Sequence, residues 1–128
     1  MGRNLFLVII MKYGILIKES PYNHQASDSA YNFITAALEK GHEVLGIFFY
    51  NDGVINSTKH MEPPQDDRHI GNRWSELGGK GIDIIICIAA AKRRGINDEV
   101  LGANMRISGL GQLVDLSLKS DRLITFGS

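Results

Sequence analysis

Apolar positions along this chain follow two rhythms, short continuous runs and longer stretches with an apolar residue at every third or fourth place. The runs lie at residues 13–18, 44–50 and 82–88, with a shorter one at 122–126. They are rich in Ile, Val, Leu and Phe and bounded by polar or glycine-containing segments, which predicts buried strands. Between them the helical rhythm takes over. Ala30, Phe33, Ile34, Ala37 and Leu38 form one stripe of a helix over about 27–40, with Ser27 or Asp28 as its cap and Gly41 at its end. Ile70, Trp74 and Leu77 share a face of a second helix over about 67–77, capped by Asp66-Asp67 and ended by Gly78-Gly79-Lys80-Gly81. A third helix begins in Ala89-Ala90-Ala91. A fourth covers about 110–118 with the stripe Leu110, Leu113, Val114 and Leu118. Asn51-Asp52-Gly53 reads as a turn leading into a long polar loop through Pro63-Pro64. Strands alternating with helices at this spacing predict βαβ units. The expected fold class is therefore α/β, a three-layer α/β/α sandwich on a mostly parallel sheet, flavodoxin-like in outline.

The chain has 128 residues, enough for one domain. The core domain is expected over residues 11–128. Residues 1–10, apolar after Arg3 but too short to span a bilayer, read as an extension outside that core. A formal net charge of zero argues against a nucleic-acid binder that works through bulk positive charge. It is compatible with an oligomer.

Cys87 is the only cysteine, so no internal disulfide can form and a reducing cytoplasm is the expected compartment. It closes the apolar run Ile82-Asp83-Ile84-Ile85-Ile86-Cys87-Ile88, at the strand end where ligands and chemistry collect in open parallel sheets. Lys92, Arg93 and Arg94 follow within two helical turns, where positive charge would favour thiolate over thiol. A buried cysteine is equally a small hydrophobe, and the spacing alone leaves both readings open.

Other motifs carry less. Gly78-Gly79-Lys80-Gly81 follows a helix and precedes a strand, the wrong order for a phosphate loop. Ser108-Gly109-Leu110-Gly111, at a helix start, could hold an anion or a sulfur species at Ser108 and Gly109, or could simply cap the helix. His24, His42, His60 and His69 show no ligand spacing, and no metal or cofactor is expected. No Gly-x-Ser-x-Gly elbow supports a serine hydrolase. A flavin would want a phosphate loop after the first strand, and Glu19-Ser20-Pro21-Tyr22-Asn23 is a poor one.

Four segments are distinctive in combination: His24-Gln25-Ala26-Ser27-Asp28-Ser29-Ala30-Tyr31, Phe48-Phe49-Tyr50-Asn51-Asp52-Gly53-Val54, Cys87-Ile88-Ala89-Ala90-Ala91-Lys92-Arg93-Arg94-Gly95, and Arg106-Ile107-Ser108-Gly109-Leu110-Gly111-Gln112-Leu113. Together they resemble the DsrE/TusD branch of the DsrE-like sulfur-relay family, over residues 11–128. The stretch from Asn56-Ser57-Thr58 to Arg68-His69 is more similar to DsrE of sulfur-oxidising bacteria than to the tRNA-thiolating TusD proteins. The resemblance implies a sulfurtransferase subunit whose Cys87 carries sulfur as a persulfide. It implies a heterohexamer with DsrF/TusC-like and DsrH/TusB-like subunits, a TusA-like donor and a DsrC/TusE-like acceptor, with no direct nucleic-acid or membrane contact. Dissimilatory sulfur oxidation is favoured over 2-thiouridine synthesis in tRNA. A non-catalytic scaffold subunit with a structural cysteine is the alternative. Only six residues separate Asn97-Asp98-Glu99 from Arg106-Ile107-Ser108, a shorter connection than the family usually has.

Overall fold

A computed structural model describes residues 9–128; the extension expected over residues 1–10 lies outside the described residues except for Ile9 and Ile10, which are both exposed. Five strands, β1 (Lys12–Ile17), β2 (Glu43–Phe49), β3 (Asp83–Cys87), β4 (Arg106–Ser108) and β5 (Arg122–Phe126), form one sheet in the order β4-β3-β2-β1-β5. Every pairing is parallel. The helices are α1 (Ala26–Glu39), α2 (Ile70–Gly79), α3 (Ile88–Arg93) and α4 (Gly111–Lys119), with 3-10 turns at Asn51–Ser57 and Asp98–Val100.

The strand order fixes the layers. The steps β1 to β2, β2 to β3 and β3 to β4 all move one way across the sheet, so right-handed crossovers put α1, α2 and α3 on one face. The step from β4 to β5 runs back, which puts α4 on the other. Two glycines admit α4: a side chain at Gly14 would collide with Leu116 and Ser120, and one at Gly46 would press on Leu116. The α1/α2 face is built around Ile15, Ile17, Ile47, Phe49 and Trp74, all fully buried, with Phe49 and Trp74 edge to face at 5.3 Å between ring centroids.

Several expectations change. Gln25, with no side-chain hydrogen bond, stands at the N-cap of α1 in place of Ser27 or Asp28. Ser27 is instead buried, and its hydroxyl donates to Asn56 Oδ1. Asp28 turns outward to meet two arginines. The cap of α2 is His69, whose Nδ1 accepts from the Asn72 N–H at 3.0 Å, and not Asp66-Asp67; Asp67 accepts from Arg68. On α4 the expected stripe is only partly right: Leu113 packs against the core, but Leu110, Val114 and Leu118 are exposed, and Leu116 is the residue that reaches the core most fully. Strand β4 was not anticipated, and the expected polar loop opens with a 3-10 turn.

Candidate functional site

At its carboxyl end, β3 delivers Cys87 into the first position of α3, as the N-cap residue with φ −61° and ψ 120°. The thiol is free and only 1% exposed. Residues paired across a parallel ladder share a sheet face, so the register Gly46↔Asp83 and Phe48↔Ile85 places Asp83, Ile85 and Cys87 on the α4 face. The next ladder adds Arg106 and Ser108 to that face, with Cys87 and Ser108 as direct partners.

Charge lies toward the other end of the same face, where β3 begins. Arg106 grips Asp83 with two hydrogen bonds of 2.8 Å and passes a third to Gln112 of α4 at 2.9 Å. This bidentate pair raises the Arg106 pKa, chiefly through the hydrogen bond to Asp83. It fastens the three-residue β4 to β3 on one side and to α4 on the other. Ser108 and Gly109, both half-buried, follow directly.

The three basic residues after Cys87 separate. Lys92 lies one turn beyond Ile88 and joins Ile88, Ile96, Asn97, Asp98 and Ile107 around a cleft of about 140 Å³. Ile107 alternates with Arg106 and Ser108, so this cleft opens on the face opposite to Cys87. Arg93 is exposed. Arg94 is engaged elsewhere: Nε and Nη2 lie 2.9 and 2.8 Å from Asp52 Oδ1, and Nη1 donates to the Ala90 carbonyl at 2.9 Å. That clamp joins α3 to the Asn51–Ser57 turn. Nothing in the spacing of Asp52 and Arg94 announces the pair, because 42 residues separate them.

The turn is held from behind by Asn56, a buried residue that the apolar periodicity did not single out. Its Oδ1 accepts from Ser27 Oγ at 3.1 Å and from Trp74 Nε1 at 3.0 Å, while Nδ2 donates to the carbonyls of Glu19 and Gly53. Four elements therefore meet on one amide. A buried N–H left without its partner costs about 1–3 kcal/mol, so Asn56 is held by the fold and in turn holds the carboxyl edge. A Cβ at Gly53 would overlap the Ile17 carbonyl oxygen, so glycine is required for the turn to sit against β1. The short connection to β4 is tied down as well: Lys59 N–H donates to the Val100 carbonyl and Gly102 N–H to that of Ser57.

Among the described residues no group of His, Cys, Asp and Glu could hold a metal ion, and no helix is long and apolar enough to cross a membrane.

Known proteins share this fold. The ychN protein of E. coli superimposes with a TM-score of 0.82 at 20% identity, covering 91% of this chain and 100% of that one. A protein of unknown function from Methanobacterium thermoautotrophicum does so with a TM-score of 0.70 at 18% identity, covering 90% and 98%. In sequence, the DsrE protein of Allochromatium vinosum is 54% identical over 129 residues, covering 91% of this chain and 99% of its own. The sulfurtransferase TusD of Serratia proteamaculans is 36% identical, covering 91% and 100%. These alignments run to 129 positions while covering 91% of a 128-residue chain, so the relatives carry positions that this chain lacks. The model of the DsrE/DsrF-like family matches residues 11–126, the span that holds the whole sheet and Cys87. With that match and these relatives, the chain belongs to the DsrE/DsrF-like family.

Proposed function

We propose that this chain is a sulfurtransferase subunit that carries sulfur as a persulfide on Cys87. The observation that carries the reading is the position of the thiol, a lone cysteine at the carboxyl end of a central strand in a chain 54% identical to a DsrE protein. The Cys87 thiolate attacks the outer sulfur of a donor persulfide. A sulfur–sulfur bond forms at Cys87, the donor's own breaks, and the donor departs as a thiolate. An acceptor thiolate then takes the outer sulfur by the same exchange, so no external oxidant or reductant is consumed. A TusA-like donor and a DsrC/TusE-like acceptor, within an assembly containing DsrF/TusC-like and DsrH/TusB-like subunits, fit this role in the cytoplasm. Dissimilatory sulfur oxidation is preferred to tRNA thiolation because the DsrE relative is more similar than the TusD relatives.

Burial suits a carrier, since the persulfide is shielded from water and stray thiols between transfers; docking of donor and acceptor then has to open the carboxyl edge. Arg93 supplies positive charge near the thiolate, Ser108 and the Gly109 backbone a polar wall beside it, and Arg94 acts through its hold on α3, whereas Lys92 belongs to the cleft on the opposite face. The 1% exposure also supports a second reading, a scaffold subunit whose cysteine only fills the core.

Intact-mass spectrometry after incubation with a persulfidated TusA-like protein separates the two. One reductant-labile sulfur on the wild type and none on Cys87→Ser is the expected result. Absence of sulfur from the folded wild type, alone and assembled with its partner subunits, would leave the scaffold reading.

A further inference from the structure

On the α1/α2 side of the carboxyl edge lies a cleft of about 330 Å³, lined by Tyr22, Met61, Glu62, Pro63, Pro64 and Asp67. Its size is that of a small ligand site or of a side chain with its neighbours. None of these residues takes part in the sulfur chemistry above.

The aromatic wall is held in a strained conformation. Tyr22 has φ +70°, and the Asn23 N–H donates to the Pro21 carbonyl at 2.8 Å, which makes Tyr22 the centre of a three-residue turn in its unfavourable hand. A bulky residue in this region is rare and is retained where the surroundings impose it. Here the phenol hydroxyl donates to the Arg68 carbonyl at 2.9 Å and accepts from the Ile70 N–H at 3.1 Å. The Arg68 guanidinium lies 5.3 Å from the ring centroid. The ring is thus immobilised before anything binds, with its phenol end already satisfied.

The opposite wall is Met61, Pro63 and Pro64: a deformable thioether and two stiff rings that lose little freedom when covered. The only charged side chains lining the cleft are acidic, Glu62 and Asp67. The nearest cation, Arg68, is already committed to Asp28 and Asp67. An apolar trough with an acidic rim is complementary to a long side chain with an aliphatic stem and a cationic head.

We infer that this cleft is a docking site for a lysine or arginine presented on an extended segment of a partner protein. The stem lies along Tyr22, Met61 and the two prolines, and the head is held by Glu62, since Asp67 is already paired with Arg68. The site opens at the same sheet edge as Cys87 but does not depend on sulfur transfer.

Two capped peptides, Ala-Leu-Arg-Leu-Ala and Ala-Leu-Glu-Leu-Ala, titrated into the full chain with labelled methionine methyls, test this. The arginine peptide is expected to shift the Met61 methyl saturably, and the glutamate peptide to leave it in place. Glu62→Gln, at an exposed position, removes the carboxylate that meets the head and is expected to weaken binding about fivefold, the scale of one solvent-exposed ion pair. No saturable shift, equal response to both peptides, or unchanged affinity in Glu62→Gln overturns the inference. A Met61 shift that follows protein concentration without peptide also overturns it, because the occupant is then a second copy.

Discussion

Cys87 and Ser108 are partners in the parallel ladder between β3 and β4, on strands about 4.8 Å apart, and their side chains share the α4 face. Neither residue announces the other in the sequence. The pairing gives the half-buried Ser108 hydroxyl a place beside a thiol that has no other polar residue on its own strand closer than Asp83.

A hydroxyl on the same sheet face offers a donor to an anionic sulfur at Cys87, so its removal should slow the reactions of that thiol. Ser108→Ala is expected to slow alkylation of Cys87 by a small reagent about tenfold at neutral pH, the equivalent of one hydrogen bond to a charged group. Ser108→Thr should retain most of the rate. Alkylation rates from pH 6 to 10 that are the same in all three proteins would remove Ser108 from the site.

The Asp52–Arg94 pair leads to a different expectation from the one that charge alone suggests. If Arg94 works by clamping α3 to the Asn51–Ser57 turn, Asp52→Asn should mimic Arg94→Ala. Both are expected to increase hydrogen exchange of the α3 amides several-fold. Arg93→Ala, at an exposed position, should leave exchange unchanged. Exchange in Asp52→Asn identical to wild type would show that the pair does not clamp α3.

Asp28 gives a pH dependence whose sign can be worked out. The Arg68 hydrogen bonds first, then those of Arg73, hold its carboxyl below the ordinary value of 3.8 despite partial burial. The contacts are 2.7 and 2.8 Å to Arg68 and 2.9 Å to Arg73, whose guanidinium also lies 4.6 Å from the Tyr31 ring centroid. As pH falls below about 3.8 the unfolded chain takes up the proton first, so stability supplied by Asp28 is complete above that pH and lost beneath it. Asp28→Asn is expected to cost about 1–3 kcal/mol at pH 6, as loss of charged hydrogen bonds does. The difference should shrink toward zero near pH 2. Urea titrations at both pH values check it, and a difference that grows on acidification would contradict the assignment.

Much of the scaffold is legible in the chain because burial on both faces leaves a local mark. Strands β1, β2 and β3 carry apolar runs, β5 a shorter one interrupted by Thr125, and α1 and α2 show their buried residues Ala30, Ile34, Ile70, Trp74 and Leu77 at helical spacing. β4 left no such mark, because three residues on a sheet edge with a single partner need no long apolar run. On α4 the period is right but the face is turned, so that of the stripe only Leu113 packs against the core. Periodicity reports that a stripe exists, whereas the glycine gap at Gly14 and Gly46 decides that Leu116 fills it. Caps were misplaced for a related reason: Ser27 and Asp28 have the right chemistry for capping, but Asn56 and two arginines, distant in sequence, compete for them.

Local sequence determined the α/β class, the parallel sheet, and the placing of Cys87 at a strand end followed by three basic residues. These depend on hydrophobic period and on neighbours within a few positions. The tertiary structure alone decided what stands around that cysteine. It set Ser108 across the ladder from it, sent Arg94 to Asp52, gathered Ser27, Trp74 and Glu19 onto Asn56, and fixed Tyr22 beside Pro63 and Pro64. Each is a contact between residues far apart in the chain, selected by strand register and by which polar groups must find partners once water is excluded.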